Sequence, residues 1–160
     1  MRVGDVMLTR PRFCRVDETL ADAGRRMAQV GAGVLPVVGE DATVVGMLTD
    51  RDICCNLARL DRRPGRVTVA EIAGPTVWAC AATDDIASAL ATMREHKVRR
   101  LPVIDGRGAL EGLLSLDDIV LHAQIFETRE FHGPYYTDVV ETLKAIVGHT
   151  PPALAAGSAS

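Results

Sequence analysis

Two short sets of side chains combine reactive types at a spacing that lets them act together. Thr49 and Asp52 stand three residues apart after the apolar run Gly46-Met47-Leu48, and Ser115 and Asp118 stand in the same way after Gly112-Leu113-Leu114. A hydroxyl and a carboxylate so placed, where a strand gives way to a helix, form a capping box: the hydroxyl caps the helix and the acid reaches back to the N-cap amide. The same geometry suits a ligand. A helix N-terminus offers amides and a positive dipole to phosphate, and the hydroxyl adds a donor. A carboxylate one turn in has only acceptors, which matches the two hydroxyl donors of a ribose diol. Phosphate beside ribose is a nucleotide, so each set has a structural and a nucleotide-binding reading.

Other chemistry has little to stand on. His96, His122, His132 and His149 show no ligand spacing, and no residue set pairs a nucleophile with a base, so neither a catalytic nor a metal site is expected. The four cysteines form no metal pattern: Cys54 and Cys55 are adjacent, and Cys14 and Cys80 lie far apart. They read as small buried thiols in a reducing compartment, with a redox role for Cys14 unsupported.

The two sets belong to a longer repetition. Gly46-Met47-Leu48-Thr49-Asp50-Arg51-Asp52-Ile53 returns 66 positions later (46 to 112) as Gly112-Leu113-Leu114-Ser115-Leu116-Asp117-Asp118-Ile119. The offset holds without a gap from Val3/Val69 to Ile53/Ile119, matching Ala21 with Ala87, Met27 with Met93, and Leu35-Pro36-Val37 with Leu101-Pro102-Val103. A period this long indicates a duplicated domain rather than an open solenoid. With 160 residues and 48% apolar content the chain can bury a sound core, but each copy alone is marginal, which predicts that the two pack on each other.

Within each copy the order reads strand, helix, strand, strand, helix. Leu20, Ala23, Met27 and Val30, like Ile86, Ala89, Leu90 and Met93, predict amphipathic helices over 18–30 and 84–96, with Asp17 and Thr83 as N-caps. Leu35 to Val38 pairs as a hairpin with Val44 to Leu48, and Leu101 to Ile104 with Leu110 to Leu114; second helices start at Thr49 and Ser115. Asp61-Arg62-Arg63-Pro64-Gly65-Arg66 reads as a solvated linker. Beyond the repeat, Asp118 to about Arg129 continues as one helix, Gly133-Pro134 breaks it, and Thr137 to Val147 forms another with Val139, Val140, Leu143, Ile146 and Val147 on its apolar side. The resulting division is 1–60, a linker over 61–68, 69–122, a helical extension over 123–149 and a disordered tail over 150–160.

Gly-hydrophobic-Leu-Thr/Ser-x-x-Asp-Ile, preceded by Leu-Pro-Val and an amphipathic helix and occurring twice, resembles a pair of CBS domains, the tandem called a Bateman module. The resemblance covers residues 1 to about 122. It implies an α/β (α+β) fold: two β-α-β-β-α units packed by pseudo-twofold symmetry, here with a C-terminal helical extension, often dimerising. It also implies a regulatory adenosyl ligand (AMP, ADP, ATP or S-adenosylmethionine) in clefts between the units, with no required cofactor. Carried over by position, Asp52 and Asp118 hold ribose; Thr49, Ser115, Arg51, Arg99 and Arg100 lie near phosphate. Gly31, Ala32, Gly33, Leu35 and Pro36, with Val98, Leu101 and Pro102, wall the adenine pockets.

The copies differ where it matters. Arg99-Arg100 align with Gly33-Val34, and Arg51 is replaced by Asp117, so the second cleft is expected to prefer a phosphorylated adenosine and the first to be weaker, empty or tuned to another ligand. A salt-bridged surface pair is the plainer reading of the two arginines. Trp78 aligns with Arg12 and reads as a packing residue. The expected function is a stand-alone, non-catalytic sensor. The chain leaves no room for an attached effector domain, so output passes to a separate partner or the dimer surface, for which the last helix is the candidate. The alternative is a stress-associated structural or interaction protein with vestigial clefts. A net charge of −3 gives no general attraction to nucleic acid or anionic membrane, and no apolar run of membrane length or secretory signal appears, so a cytoplasmic location is expected.

Overall fold

A computed structural model describes residues 1–74, 76–124 and 133–148. In chain order it contains β1 (Leu8–Thr9), β2 (Cys14–Arg15), α1 (Leu20–Val30), β3 (Val34–Val38), β4 (Val44–Thr49), α2 (Asp50–Leu60), α3 (Ile86–His96), β5 (Arg100–Ile104), β6 (Leu110–Ser115), α4 (Leu116–His122) and α5 (Tyr136–Val147). Two three-stranded sheets form, ordered β2-β3-β4 and β1-β6-β5. Each hairpin is antiparallel and in equivalent register, Val34 facing Thr49 and Arg100 facing Ser115. The β-α-β-β-α units and the helical extension are therefore present. The first strand of the second unit is reduced to a single parallel bridge, Cys80 to Val103.

The exchange of N-terminal segments between the units is not visible in the repeat itself. Val3 and Val6 lie in the core of the second unit with Ile86, Leu90, Leu101 and Leu114, while Val67 and Val69 lie in the core of the first with Leu20, Leu35 and Leu48. The backbone bonds are reciprocal. Val3 N–H donates to Asp84 O and Gly4 N–H to Ala82 O, each at 2.9 Å; Val69 N–H donates to Glu18 O and Ala70 N–H to Val16 O, also at 2.9 Å. After the exchange, β1 joins the second sheet through Leu8 against Leu113. The hairpin turns close the frame, with Val44 N–H donating to Gly108 O and Leu110 N–H to Ala42 O.

The motif glycines follow from this exchange. A Cβ on Gly112 would lie 3.1 Å from Leu8 O, and one on Gly46 would lie 3.1 Å from Gly74 O, so a side chain at either position would press on the crossing backbone.

Several helix ends depart from expectation. The N-cap of α1 is Thr19, whose hydroxyl accepts from Asp22 N–H, rather than Asp17; α3 has Asp85 at its N-cap, with no side-chain cap bond, rather than Thr83. Glu18 and Asp84 cannot join their helices because their carbonyls receive the exchanged segments. Helix α4 stops at His122 instead of running toward Arg129, since the Gln124 amide is taken by Pro134 O and its carbonyl by Tyr136 N–H; residues 125–132 lie outside the described residues, as does the expected tail. Only part of α5's apolar side is covered: Val139, Thr142 and Ile146 are buried against α3 and α4, while Tyr136, Val140, Leu143 and Val147 form an exposed stripe. In the linker, Arg62 pairs with Glu71 at 2.7 Å, and Val67 at its end is core.

Val3→Ala and Val69→Ala each remove two buried methyl groups from the unit their segment invades. Each is expected to cost about 2 kcal/mol, read as a lower urea midpoint. The unfolding transition should stay single, because each core contains part of the other repeat.

Candidate functional site

The strand-to-helix junctions at Thr49 and Ser115 are built by local hydrogen bonding. Thr49 N–H donates to Asp52 Oδ2 at 2.9 Å, Thr49 Oγ1–H to the same oxygen at 2.7 Å, and Asp52 N–H back to Thr49 Oγ1 at 3.0 Å. The second junction repeats the pattern, Ser115 N–H reaching Asp118 Oδ2 at 3.0 Å and Asp118 N–H reaching Ser115 Oγ at 3.1 Å. Both sets are thus complete capping boxes. A hydroxyl has one proton, and in each box it is spent on the carboxylate, so neither Thr49 nor Ser115 has a donor left for phosphate while the box is closed. Oδ1 of Asp52 and of Asp118 has no partner among the described residues and keeps its acceptor capacity.

The helix-start amides are also less open than a bare N-terminus. Asp50 N–H donates to Gly33 O at 3.0 Å and Arg51 N–H to Asp50 Oδ1 at 2.7 Å, which saturates the first turn of α2. Asp50 folds back over Gly33, where a Cβ would meet its Oδ2 at 2.9 Å. At the equivalent place in the second unit stand Arg99 and Leu116; the same backbone bond is made, Leu116 N–H to Arg99 O at 2.9 Å, but Leu116 is buried in the core.

These junctions meet. A cleft of about 600 Å³ is lined by Gly33, Val34, Met47, Thr49, Asp50 and Arg51 of the first unit and by Lys97, Val98, Arg99 and Arg100 of the second. Arg99 and Arg100 therefore do not belong to the second site alone: they face the start of α2, because the packing of the two units sets their equivalent segments opposite each other. The cleft carries four cationic side chains against Asp50. Arg100 also approaches Asp117 of its own unit at 3.7 Å, an exposed contact that adds little stability.

The remaining sequence-selected residues spread around this cleft. Ser115, Asp52 and Asp118 are not among its lining residues. Gly31, Ala32 and Gly33 line a groove of about 500 Å³ between α1 and the start of α2. Ala32 and Leu35 line a third space of about 270 Å³ that also takes in Arg10, Arg12, Val30 and Leu113. Pro36 and Pro102 are buried in their strands, and Leu101 lies in the second unit's core. Lys97, in left-handed backbone at the end of α3 with φ 55°, was not singled out by the motif. Its place just before Val98-Arg99-Arg100 was the available signal.

Trp78, expected as a packing residue, is 41% exposed and packs at the surface by stacking on His96, with ring centroids 3.4 Å apart and planes within 1°. The expectation of four buried thiols is corrected. Only Cys14 and Cys80 are buried thiols; Cys54 and Cys55 are exposed on α2. Desolvation pushes both buried thiols up to about 12, with Glu18 and Asp84 respectively adding to the effect, so neither is a thiolate at neutral pH. No cluster of three or more potential metal ligands occurs among the described residues, and no helix among them is long and apolar enough to cross a membrane.

Comparison with known proteins bears on this geometry. The family model described as CBS domain matches residues 3–59 and 69–124. Hypoxic response protein 1 of Mycobacterium tuberculosis is 37% identical over 105 residues, 66% of this chain and 73% of that protein. A crystal structure of Hypoxic Response Protein I with two coordinated zinc ions superposes with a TM-score of 0.72 at 33% identity, covering 78% of this chain and 100% of that one. Inosine-5'-monophosphate dehydrogenase of M. tuberculosis is 36% identical over 115 residues, 71% of this chain but 21% of the enzyme, so the chain spans about a fifth of that relative's length. CBSX2 in complex with AMP matches with a TM-score of 0.66 at 27% identity, over 76% of this chain and 94% of that one.

Thiol accessibility checks the placement of the cysteines. Iodoacetamide at neutral pH is expected to alkylate Cys54 and Cys55 in the folded protein, with Cys14 and Cys80 reacting only after denaturation, as read by peptide mass spectrometry.

Proposed function

The chain belongs to the CBS-domain family, and from that premise we propose that it is a regulatory, non-catalytic module that senses an adenine nucleotide (AMP, ADP or ATP) or S-adenosylmethionine. The observation that carries this reading is the shared cleft of about 600 Å³, in which Arg51, Lys97, Arg99 and Arg100 from the two units face one another, with Asp50 the one acid among the described residues that line it. That volume falls within the range of small-molecule sites, roughly 300–1,000 Å³. Like charges gathered from both units favour a ligand with its own negative charge. The binding of AMP by CBSX2 supports the same ligand class.

In this reading the arginines, with Lys97, hold phosphate, and Oδ1 of Asp52 or Asp118 accepts from ribose. Thr49 and Ser115 act through the carboxylates they fix rather than as phosphate donors. Gly31, Ala32, Gly33 and Leu35 on one side, and Val98 on the other, supply backbone and apolar surface to the adenine, with Pro36, Leu101 and Pro102 packed behind them. A second reading has its own support. Both capping boxes are complete within the chain and use the proton of each hydroxyl, as they would in an interaction protein with vestigial clefts.

Output would pass through α5 to a second copy of the chain or to an effector protein. Lys97 lines the cleft, and its ammonium reaches Gly148 O, beyond the end of α5, at 3.5 Å. The outer side of that helix is the exposed stripe Tyr136, Val140, Leu143 and Val147.

A thermal and chemical unfolding panel with AMP, ADP, ATP and S-adenosylmethionine tests the ligand. The bound member at 100 times its dissociation constant is expected to add about 2.7 kcal/mol of stability. Arg100→Ala should weaken a nucleotide about tenfold, roughly 1.4 kcal/mol. Silence from all four compounds would leave the interaction-protein reading in front. For the surface, sedimentation velocity should show wild-type chain associating and Leu143→Glu as monomer; a wild-type chain monomeric throughout would turn the stripe toward a different partner.

A further inference from the structure

A second cavity, of about 570 Å³, lies away from the cleft, between the first unit and the start of β6. Arg10, Pro11, Arg12, Phe13, Glu18, Arg26, Val38, Ala42 and Leu110 line it. Its charge is not neutralised from within. Glu18, the one acid among the described residues that line it, is committed to Arg26 through contacts of 2.5 and 3.0 Å. Arg10 and Arg12 take no ion pair or hydrogen bond among the described residues. Two uncompensated guanidinium groups two residues apart repel each other, and an anion placed between them relieves that repulsion.

The cavity is also held in shape. Arg26 Nη1 donates to Phe13 O at 2.6 Å, which ties the segment to α1. Pro11 fixes its own φ between the two arginines. Arg10 and Ala42, on the cavity's margins, both adopt left-handed backbone, φ 53° and 58°, a conformation side chains other than glycine rarely take. The ring of Phe13 is exposed beside Val38 and Leu110, giving a flat apolar wall next to the free charges.

The repeat shows that none of this is required by the fold. At the same offset the second unit has Thr76 for Arg10, Trp78 for Arg12, Ala79 for Phe13 and Thr92 for Arg26. The frame is duplicated and the three cationic positions are not.

We propose that the cavity between Arg10, Arg12 and Phe13 is a separate binding site for a small dianion carrying a planar apolar group, of the aryl phosphate type. The guanidinium groups take the phosphate, bidentate contact being their favoured geometry, while Phe13 and Leu110 cover the ring. This site shares no lining residue with the shared cleft, although Arg10 and Arg12 also border the space of about 270 Å³ that takes in Ala32 and Leu35.

Phenyl phosphate is the probe, titrated at low salt into isotope-labelled full-length chain and followed by amide NMR shifts. Saturable shifts are expected at Phe13, Ala42 and Leu110, with affinity at least tenfold above that of inorganic phosphate. Arg10→Gln/Arg12→Gln should lower the affinity at least tenfold, and Phe13→Ala should remove most of the preference for phenyl phosphate. Arg99→Gln/Arg100→Gln, which strips the shared cleft, should leave binding within twofold of wild type. Unchanged urea midpoints would establish that the variants are folded. Absence of saturable shifts at those three amides, or equal loss in the Arg99/Arg100 variant, would overturn the assignment, whatever the outcome for nucleotides at the cleft.

Discussion

Everything in this molecule depends on Val3 and Val69 being in each other's half. Each is fully buried in the repeat it does not belong to, and each brings the same backbone bonds across. Fully burying a valine contributes roughly 1.5–3 kcal/mol, against a net stability for a typical domain of about 5–15 kcal/mol, so neither unit can spare its visitor. The duplication is thereby converted from two marginal cores into one cooperative structure. The crossing segments also set the pseudo-twofold packing, and with it the distance across which the equivalent junctions of the two units face each other.

A frame held this way leaves other positions free to diverge. The exchange fixes the valines and favours glycine at 46 and 112, where a Cβ would crowd the passing carbonyls. It makes no demand on Gly33-Val34 against Arg99-Arg100, or on Asp50 against Leu116. Those differences collect around the cleft, so symmetry of fold coexists with asymmetry of charge. Because the cleft is shared, the arginines of one unit complete a surface begun by the other. Divergence between the copies therefore reads as division of labour within one site as readily as preference between two.

Much of the local structure was legible because local chemistry determines it. The hairpins follow from apolar runs bounded by turn residues, the helices from their three- and four-residue spacing, and the capping boxes from Ser/Thr-x-x-Asp alone. What escaped is what the chain decides at long range. Nothing near Val3 indicates that it belongs with Leu90, and the misplaced caps at Asp17 and Thr83 have the same origin: the carbonyls of Glu18 and Asp84 are taken by backbone amides 50 and more residues away in sequence. The end of α4 was lost to a bridge between Gln124 and Tyr135. On α5, five apolar residues marked a face correctly as amphipathic but could not say which half of it the neighbours would cover.

The capping and nucleotide readings of Thr49-x-x-Asp52 and Ser115-x-x-Asp118 cease to compete once the oxygens are assigned. One carboxylate oxygen, Oδ2, serves the fold, receiving the N-cap amide and the hydroxyl; the other, Oδ1, stays open. An acceptor already immobilised by two hydrogen bonds loses little further freedom when a diol donates to it, and that loss is a principal cost of binding. The helix cap is thus the device by which a short, flexible aspartate becomes a rigid acceptor. Under the proposed nucleotide reading the hydroxyl acts one atom further back, by fixing the carboxylate, and the charge for phosphate comes from the arginines and lysine that line the cleft.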